Sequence, residues 1–285
     1  MKKIKLAIQK SGRLYEDSIS LLKECGIKIS KGNYKLKAEV ADFPIEILFL
    51  RDDDIPQYIE DNVADIGIVG ENVLIEKNKN IAVISKLGFS KCRLSIAIPK
   101  LENYTDRLYL TNKKIATSYP FILQQYLNTY NINAEIHTIS GSVEIAPSIG
   151  LADVICDLVS SGSTLFMNGL KEVETILESE AVLVKSNFLD TEKLAIIDKL
   201  LIRIEAVKRA KKYQYVLLNA PNNRIQEIIA LLPGMRSPTI LPLANNNWSS
   251  VHSVISEQDF WDKIEQLKKL GAEGIIVIPI EKMIL

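Results

Sequence analysis

The stretch ADVICDLVSSGSTL, residues 152–165, reads as a buried strand that carries Asp157 into a small hydroxyl-rich turn opening a helix. The short side chains of Ser160, Ser161, Gly162, Ser163 and Thr164 let an anion approach the backbone, where amide N–H groups and a helix N-terminus favour it. Asp157, just ahead of the turn, is placed to accept hydrogen bonds from sugar hydroxyls. The stretch therefore suits a phosphorylated sugar. Taken alone, it equally fits an ordinary strand-to-helix turn in which Ser161 and Thr164 cap backbone groups.

Working outward, the order of elements repeats. A strand over 3–8, a helix over 12–25, a strand over 45–50, a helix over 54–62 and a strand over 64–69 running into Gly70-Glu71-Asn72 are followed by a second set: strand 114–117, helix 119–130, strand 134–139, short helix 143–149 and strand 152–159. The dipeptide that enters the last strand also returns, as Ala64-Asp65 and Ala152-Asp153. Alternating strands and helices imply mainly parallel sheets covered on both faces, with ligand sites outside the strand carboxyl ends. With 93–99 crossing to the second unit and 181–185 returning, the expected fold is α/β: a two-lobed core like the periplasmic-binding-protein folds. Residues 1–92 with 181–212 form lobe I, including a long amphipathic connector helix from 191 to about 213, and 93–180 form lobe II. The remainder, 213–285, has the β-α-β-β-α-β order of a ferredoxin-like module.

Composition sets the bounds on partners. In 285 residues, 35 basic and 35 acidic side chains cancel, so no global field draws the protein to nucleic acid or to an anionic membrane, and a phosphate ligand must be caught locally. The apolar run at the start is too short for a signal-peptide core and no later stretch approaches a membrane-spanning length, so a cytoplasmic location is expected. Cys25, Cys92 and Cys156 are odd in number and far apart, which argues against a disulfide framework or a zinc site.

Other motifs fall at the same kind of turn. Lys10-Ser11-Gly12-Arg13 joins the first strand to the first helix and puts two cations beside free amide groups, an arrangement suited to a polyphosphate; it also fits a solvated loop with Ser11 as N-cap. In Arg51-Asp52-Asp53-Asp54 the acidic run compensates the following helix, and Arg51 is the functional candidate. Asp65, Gly70, Glu71 and Asn72 are read as one turn facing the cleft, with Glu71 and Asn72 able either to bond a base or to satisfy helix donors. Glu144, after Gly141-Ser142, is either a cap partner or a ligand to a sugar. His137 and His252 lack the partners of a nucleophilic triad.

Taken together, Gln9 to Arg13, Arg51 to Pro56, Asp65 to Leu74 and Gly150 to Leu165 closely resemble the ATP phosphoribosyltransferase family. Leu231 to Gly234, Ser237 to Ala244 and Ile280 to Met283 are similar to the regulatory domain of that family's long form. The resemblance implies a Mg²⁺-dependent transfer of phosphoribose from phosphoribosyl pyrophosphate to N1 of ATP, releasing pyrophosphate, as the first step of histidine biosynthesis. By resemblance, Asp157 would bind ribose hydroxyls and Ser160 to Thr164 the 5′-phosphate, with Glu144 nearby. Lys10, Ser11, Gly12, Arg13, Arg51, Asp65, Gly70, Glu71, Asn72 and Arg93 would line the nucleotide and pyrophosphate side, with Asp157, Arg13 and Lys10 central to catalysis. The protein ligands of Mg²⁺ stay open. The C-terminal module would be a regulatory domain that binds free histidine as a feedback inhibitor near Asn219, Thr239 and Ala272, in a homo-oligomer of dimers or hexamers. Asn219 stands where some relatives carry an acidic or histidine side chain. Without the resemblance, a two-lobed solute-binding protein and a nucleotide sensor remain alternatives.

Overall fold

The computed structural model describes residues 2–29 and 36–284. By its contacts the chain divides into two units, one of residues up to 23 with 27–197, the other of 24–26 with 198–285.

In the first unit, β1 (Ile4–Gln9) leads into α1 (Arg13–Glu24), followed by β2 (Lys37–Glu39) and β3 (Ile45–Leu50). A 3-10 turn over Asp52–Asp54 continues as α2 (Ile55–Glu60), then come β4 (Ile66–Gly70), α3 (Glu71–Lys77) and β5 (Ala82–Lys86). The chain crosses into β6 (Cys92–Pro99), β7 (Lys114–Thr117), α4 (Pro120–Thr129), β8 (Glu135–Thr138), β9 (Val154–Val159), α5 (Ser163–Met167) and β10 (Leu170–Ser179). It returns through β11 (Ala181–Lys185) to α6 (Thr191–Ala210).

These strands form two sheets, β2-β3-β1-β4-β11-β5 and β10-β6-β9-β7-β8. The sheets are mixed rather than mainly parallel. Strands β3, β1 and β4 run parallel in one sheet and β8, β7 and β9 in the other. The crossing strands β6 and β11 are antiparallel to their neighbours because each enters its sheet from the opposite lobe. Apolar side chains fill the layers: Ala7, Leu48, Ile55, Ile59 and Val69 pack in the first lobe, and Leu94, Ile96, Ile115, Leu123 and Cys156 in the second. Gly67 lets α2 pack close to β4, since a Cβ there would stand 2.5 Å from Ile59 Cδ1 and 2.8 Å from Ile55 Cγ2.

The repeated Ala-Asp pair has a structural meaning. Asp65 N–H donates to Lys5 O at 2.9 Å while its Oδ2 accepts Lys5 N–H at 2.8 Å. Asp153 does the same with Lys114, at 2.8 Å and 2.9 Å. Each aspartate thus braces the amino end of one strand to the first parallel strand of its lobe.

The second unit holds β12 (Tyr213–Pro221), α7 (Ile225–Leu231), β13 (Thr239–Pro242), β14 (Trp248–Ser256), α8 (Glu257–Lys269) and β15 (Glu273–Pro279). Their order, β13-β14-β12-β15, all antiparallel, is that of a ferredoxin-like sheet. Val216, Leu218, Val251 and Ile255 pack on Ile228 of α7 and Phe260 and Leu267 of α8. By contacts, the boundary between units falls inside α6, at 197/198. The later part of α6 belongs with the second unit, where Met283 N–H donates to Ala206 O at 3.0 Å and Arg203 Nη1 to Cys25 O at 3.2 Å.

Candidate active site

The carboxyl ends of the parallel strands in both lobes of the first unit carry the candidate residues. Lys10 to Gly12 follow β1, Arg51 follows β3, and Gly70 to Asn72 close β4 and open α3; Ser160 to Thr164 follow β9. A cavity of about 510 Å³ opens between the lobes, lined by Asp53, Val73, Glu76 and Lys77 on one side and by Ser118, Tyr119, Pro120, Thr138, Ser140 and Gly141 on the other. None of the site residues read from the sequence lines this cavity; Tyr119 on its wall accepts a hydrogen bond from Asn72 Nδ2 at 3.2 Å, which ties it to the β4 turn.

On lobe II, Asp157 is partly buried on β9 and its Oδ1 accepts the Leu158 N–H at 2.8 Å. Burial holds its carboxyl above the ordinary aspartate range and nearby Glu144 pushes the same way, while the Leu158 amide opposes them. A cation or a set of hydroxyl donors arriving at Asp157 therefore meets a carboxylate that the resting protein leaves short of stabilisation. Gly162, at φ +79°, turns the chain into α5 in a conformation that favours glycine. Ser161 Oγ lies 3.0 Å from Ser163 Oγ, so hydroxyls crowd the turn.

From elsewhere in the unit, two arginines reach the start of this turn. Arg13 Nη1 donates to Ser160 Oγ at 3.1 Å and Arg93 Nη1 to Ser160 O at 3.2 Å. Gly12, at φ +90°, makes the bend that starts α1 and aims Arg13, and Lys10 N–H is tied to Leu50 O at 2.8 Å.

Asn72 is 4% exposed and fully engaged: its N–H donates to Ser179 Oγ at 3.0 Å, its Oδ1 accepts that hydroxyl at 2.9 Å, and its Nδ2 donates to Tyr119 OH at 3.2 Å. Through Ser179 and Tyr119 it links the lobes. Glu71 pairs with Lys86 at 3.0 Å. Gly70 is required by Asn72, because a Cβ there would fall 2.5 Å from Asn72 Oδ1.

Asp65 does not join this group. It precedes β4 at the amino end of the strand, is 5% exposed, and binds Lys193 Nζ through Oδ1 at 2.7 Å besides bracing Lys5. Its structural place is the far edge of the sheet from the cleft.

Several residues at the site escaped the sequence reading. Tyr119 stands on the cavity wall, its phenol pushed up by burial and by the Asp157 carboxylate. Glu76 caps α4 from the opposite lobe, accepting Phe121 N–H at 2.9 Å and Ile122 N–H at 3.0 Å. The Tyr119-Pro120 pair at a helix start was the available signal for both. Among the described residues no group of three or more His, Cys, Asp or Glu is placed to hold a metal ion, and no helix is long and apolar enough to cross a membrane.

In the second unit, Asn219 pairs with Ser250 and Thr239 with His252, which puts both on one face of the sheet, opposite the face that packs on the helices. Ala272 lies just ahead of β15, beside the Asn219 end of β12, and is buried. Thr239, on β13, is two strand spacings from Asn219, about 10 Å across the sheet, and Ala272 lies one strand further.

A family model described as HisG, ATP phosphoribosyltransferase, matches residues 51–206, and one described as HisG, C-terminal domain, matches residues 210–282. The ATP phosphoribosyltransferase of Cytophaga hutchinsonii is 59% identical over 281 residues, covering 99% of this chain and 98% of that protein. That of Parabacteroides distasonis is 57% identical with 99% of both covered. The solved ATP phosphoribosyl transferase (HisG:HisZ) complex from Thermotoga maritima contains a chain matching 71% of this one over 98% of its own length, with a TM-score of 0.60 at 30% identity. A periplasmic sulfonate-binding protein of Methylobacillus flagellatus, with a TM-score of 0.52 at 14% identity over 81% of this chain and 72% of its own, shares the two-lobed fold alone. The chain belongs to the ATP phosphoribosyltransferase family.

Proposed function

We propose that this phosphoribosyltransferase moves phosphoribose from phosphoribosyl pyrophosphate to N1 of ATP, as the first step of histidine biosynthesis, and that free histidine inhibits it through the C-terminal unit. The observation that carries the reading is the meeting of Asp157 and the 160–164 turn with Arg13, brought from the other lobe to Ser160. Asp157 accepts the ribose hydroxyls, and the turn takes the 5′-phosphate on its amides and hydroxyls. Lys10, Ser11, Gly12, Arg13 and Arg51 face the pyrophosphate and the nucleotide, with Gly70 and Glu71 at the same strand ends. The bond from N1 to the anomeric carbon forms as the bond to the pyrophosphate oxygen breaks, and the electron pair leaves on pyrophosphate. The adenine nitrogen brings its own lone pair, so alignment and charge stabilisation account for the rate without a protein nucleophile.

Mg²⁺, when bound, neutralises the pyrophosphate and the developing leaving-group charge. The donor set fits a metal carried mainly by substrate oxygens, because Asp157 and Glu144 are the carboxylates at the sugar side and, among the described residues, no group of three or more ligating side chains is placed to hold an ion. The regulatory half places histidine against the sheet face bearing Asn219 and Thr239, with Ala272 at its edge, in a homo-oligomer of dimers or hexamers.

The test is a spectrophotometric assay with ATP, phosphoribosyl pyrophosphate and Mg²⁺, following the adenine absorbance change on N1 substitution, with and without histidine. Product suppressed by histidine supports both halves. Product without suppression removes the regulatory half, and no product removes the catalytic one.

A further inference from the structure

The edge strand β10 carries a carboxylate that reaches the phosphate turn through one intermediary. Glu172 receives Arg93 in a fork, with Nε on Oε1 and Nη2 on Oε2, and its Oε1 also accepts Ser95 Oγ–H at 2.8 Å. The remaining guanidinium nitrogen, Nη1, donates to the carbonyl of Ser160, the first residue of the turn. Strand register makes this chain short: Arg93 on β6 pairs with Val159 and Ser95 with Asp157, so the fork sits directly beside the strand that delivers both Asp157 and the turn. Two of the guanidinium's donors fixed in a plane set the direction of the third.

We propose, resting on the functional reading above, that Glu172 is a positioning residue for phosphoribosyl pyrophosphate: it holds Arg93 as a hook on the Ser160 carbonyl, so that the turn keeps its amides aimed at the 5′-phosphate. Arg93 is then a support for the turn and not a counter-ion to pyrophosphate. Its charge is already met by Glu172, whose carboxyl Arg93 and the Ser95 hydroxyl hold below the ordinary range. Arg13 meets the turn through the Ser160 hydroxyl and has the Asp17 carboxylate 3.9 Å from its Nε, a looser pairing than the Arg93–Glu172 fork.

The test is steady-state kinetics on the full-length protein, comparing wild type, Glu172→Gln, Arg93→Lys and the double variant, with melting curves alongside. Loss of the fork raises KM for phosphoribosyl pyrophosphate about tenfold while KM for ATP stays within about twofold, a selectivity that a general loss of stability does not produce. The double variant is no worse than Arg93→Lys alone, because Glu172 acts only through Arg93. Unchanged KM for phosphoribosyl pyrophosphate in folded Glu172→Gln, or effects that multiply in the double variant, overturns the inference and leaves the functional reading standing. Should Glu172→Gln fail to fold, Arg93→Lys decides: an unchanged KM for phosphoribosyl pyrophosphate, or one raised equally for both substrates, overturns the hook. A wild-type protein that neither turns over nor binds phosphoribosyl pyrophosphate overturns both readings.

Discussion

Replacing Asp157 by an asparagine separates what the carboxylate does for the substrate from what it costs the fold. The amide keeps the shape of the side chain, and its oxygen still accepts the Leu158 N–H now held at 2.8 Å. What disappears is the charge. A hydrogen bond to a charged acceptor is worth about 1.5–3 kcal/mol, so weakening the bonds to two ribose hydroxyls removes about 2–4 kcal/mol of transition-state stabilisation. At 1.36 kcal/mol per factor of ten, kcat/KM for phosphoribosyl pyrophosphate falls about 30- to 1000-fold. Stability moves the other way. Burial and Glu144 raise the Asp157 carboxyl above its unfolded value, so its favourable contribution is complete only below the unfolded pKa and is lost as pH rises through the folded one. At pH 7 the ionised wild-type side chain therefore opposes folding, and the neutral amide of the Asp157→Asn variant relieves it. The variant melts higher than wild type at pH 7, and the gap closes as pH falls towards about 4, where the free aspartate protonates. Initial rates at varied phosphoribosyl pyrophosphate and calorimetric melts across about pH 4–8 read both effects. A kcat/KM within about threefold of wild type takes Asp157 out of the sugar site, and a lower melting point at pH 7 refutes the electrostatic account.

Asp65→Ala strips partners from Lys5 N–H and Lys193, with Lys193 about one-third exposed; it costs about 2–3 kcal/mol, lowers Tm by roughly 5–10 °C and leaves both KM values within about twofold. A selective rise in the KM for ATP would return Asp65 to the cleft. Gly70→Ala forces the Asn72 side chain off Ser179 and Tyr119, so it destabilises by about 1–2 kcal/mol in a chemical-denaturation series, and the same change in an Asn72→Ala background has a much smaller effect if that clash is its cause. In the second unit, on the proposed histidine reading, Thr239→Ala raises the histidine concentration for half inhibition about tenfold with the uninhibited rate intact; an unshifted inhibition curve moves the effector away from that sheet face.

How much was legible in the sequence follows from where each signal lives along a strand. The turns after β1, β4 and β9 were readable because glycine, hydroxyl and cationic residues at a strand's end have few other uses, and the structure brings Arg13 and Ser160 together from two such turns. Asp65 was misplaced because it was grouped with Gly70 to Asn72 as one turn, although the strand between them spans about 16 Å at 3.3 Å per residue. The repeat itself held the correction: if Ala64-Asp65 and Ala152-Asp153 echo each other, and Asp153 stands a full strand before the 160–164 turn, then Asp65 stands a full strand before Gly70. Both aspartates then belong to the end of the sheet where the paired Lys5 and Lys114 backbones need bracing.

Strand β10 was invisible for a different reason. Its register shifts between Glu172 and Glu174 and again between Thr175 and Leu177, and each shift puts the alternation of apolar and polar residues out of phase, so LKEVETILES carries no clean period of two. The same irregularity accompanies the strand's chemistry. Glu172 turns to Arg93 and Ser95, while Glu174, beyond the first shift, accepts Tyr104 and Arg107 in a separate cluster on the lobe. Two acidic residues two positions apart would share one face of a regular strand and one set of partners. The bulge between them is what lets one reach the 160–164 turn through Arg93 and the other hold the outer surface, and a regular strand, however easily read, could not have done both.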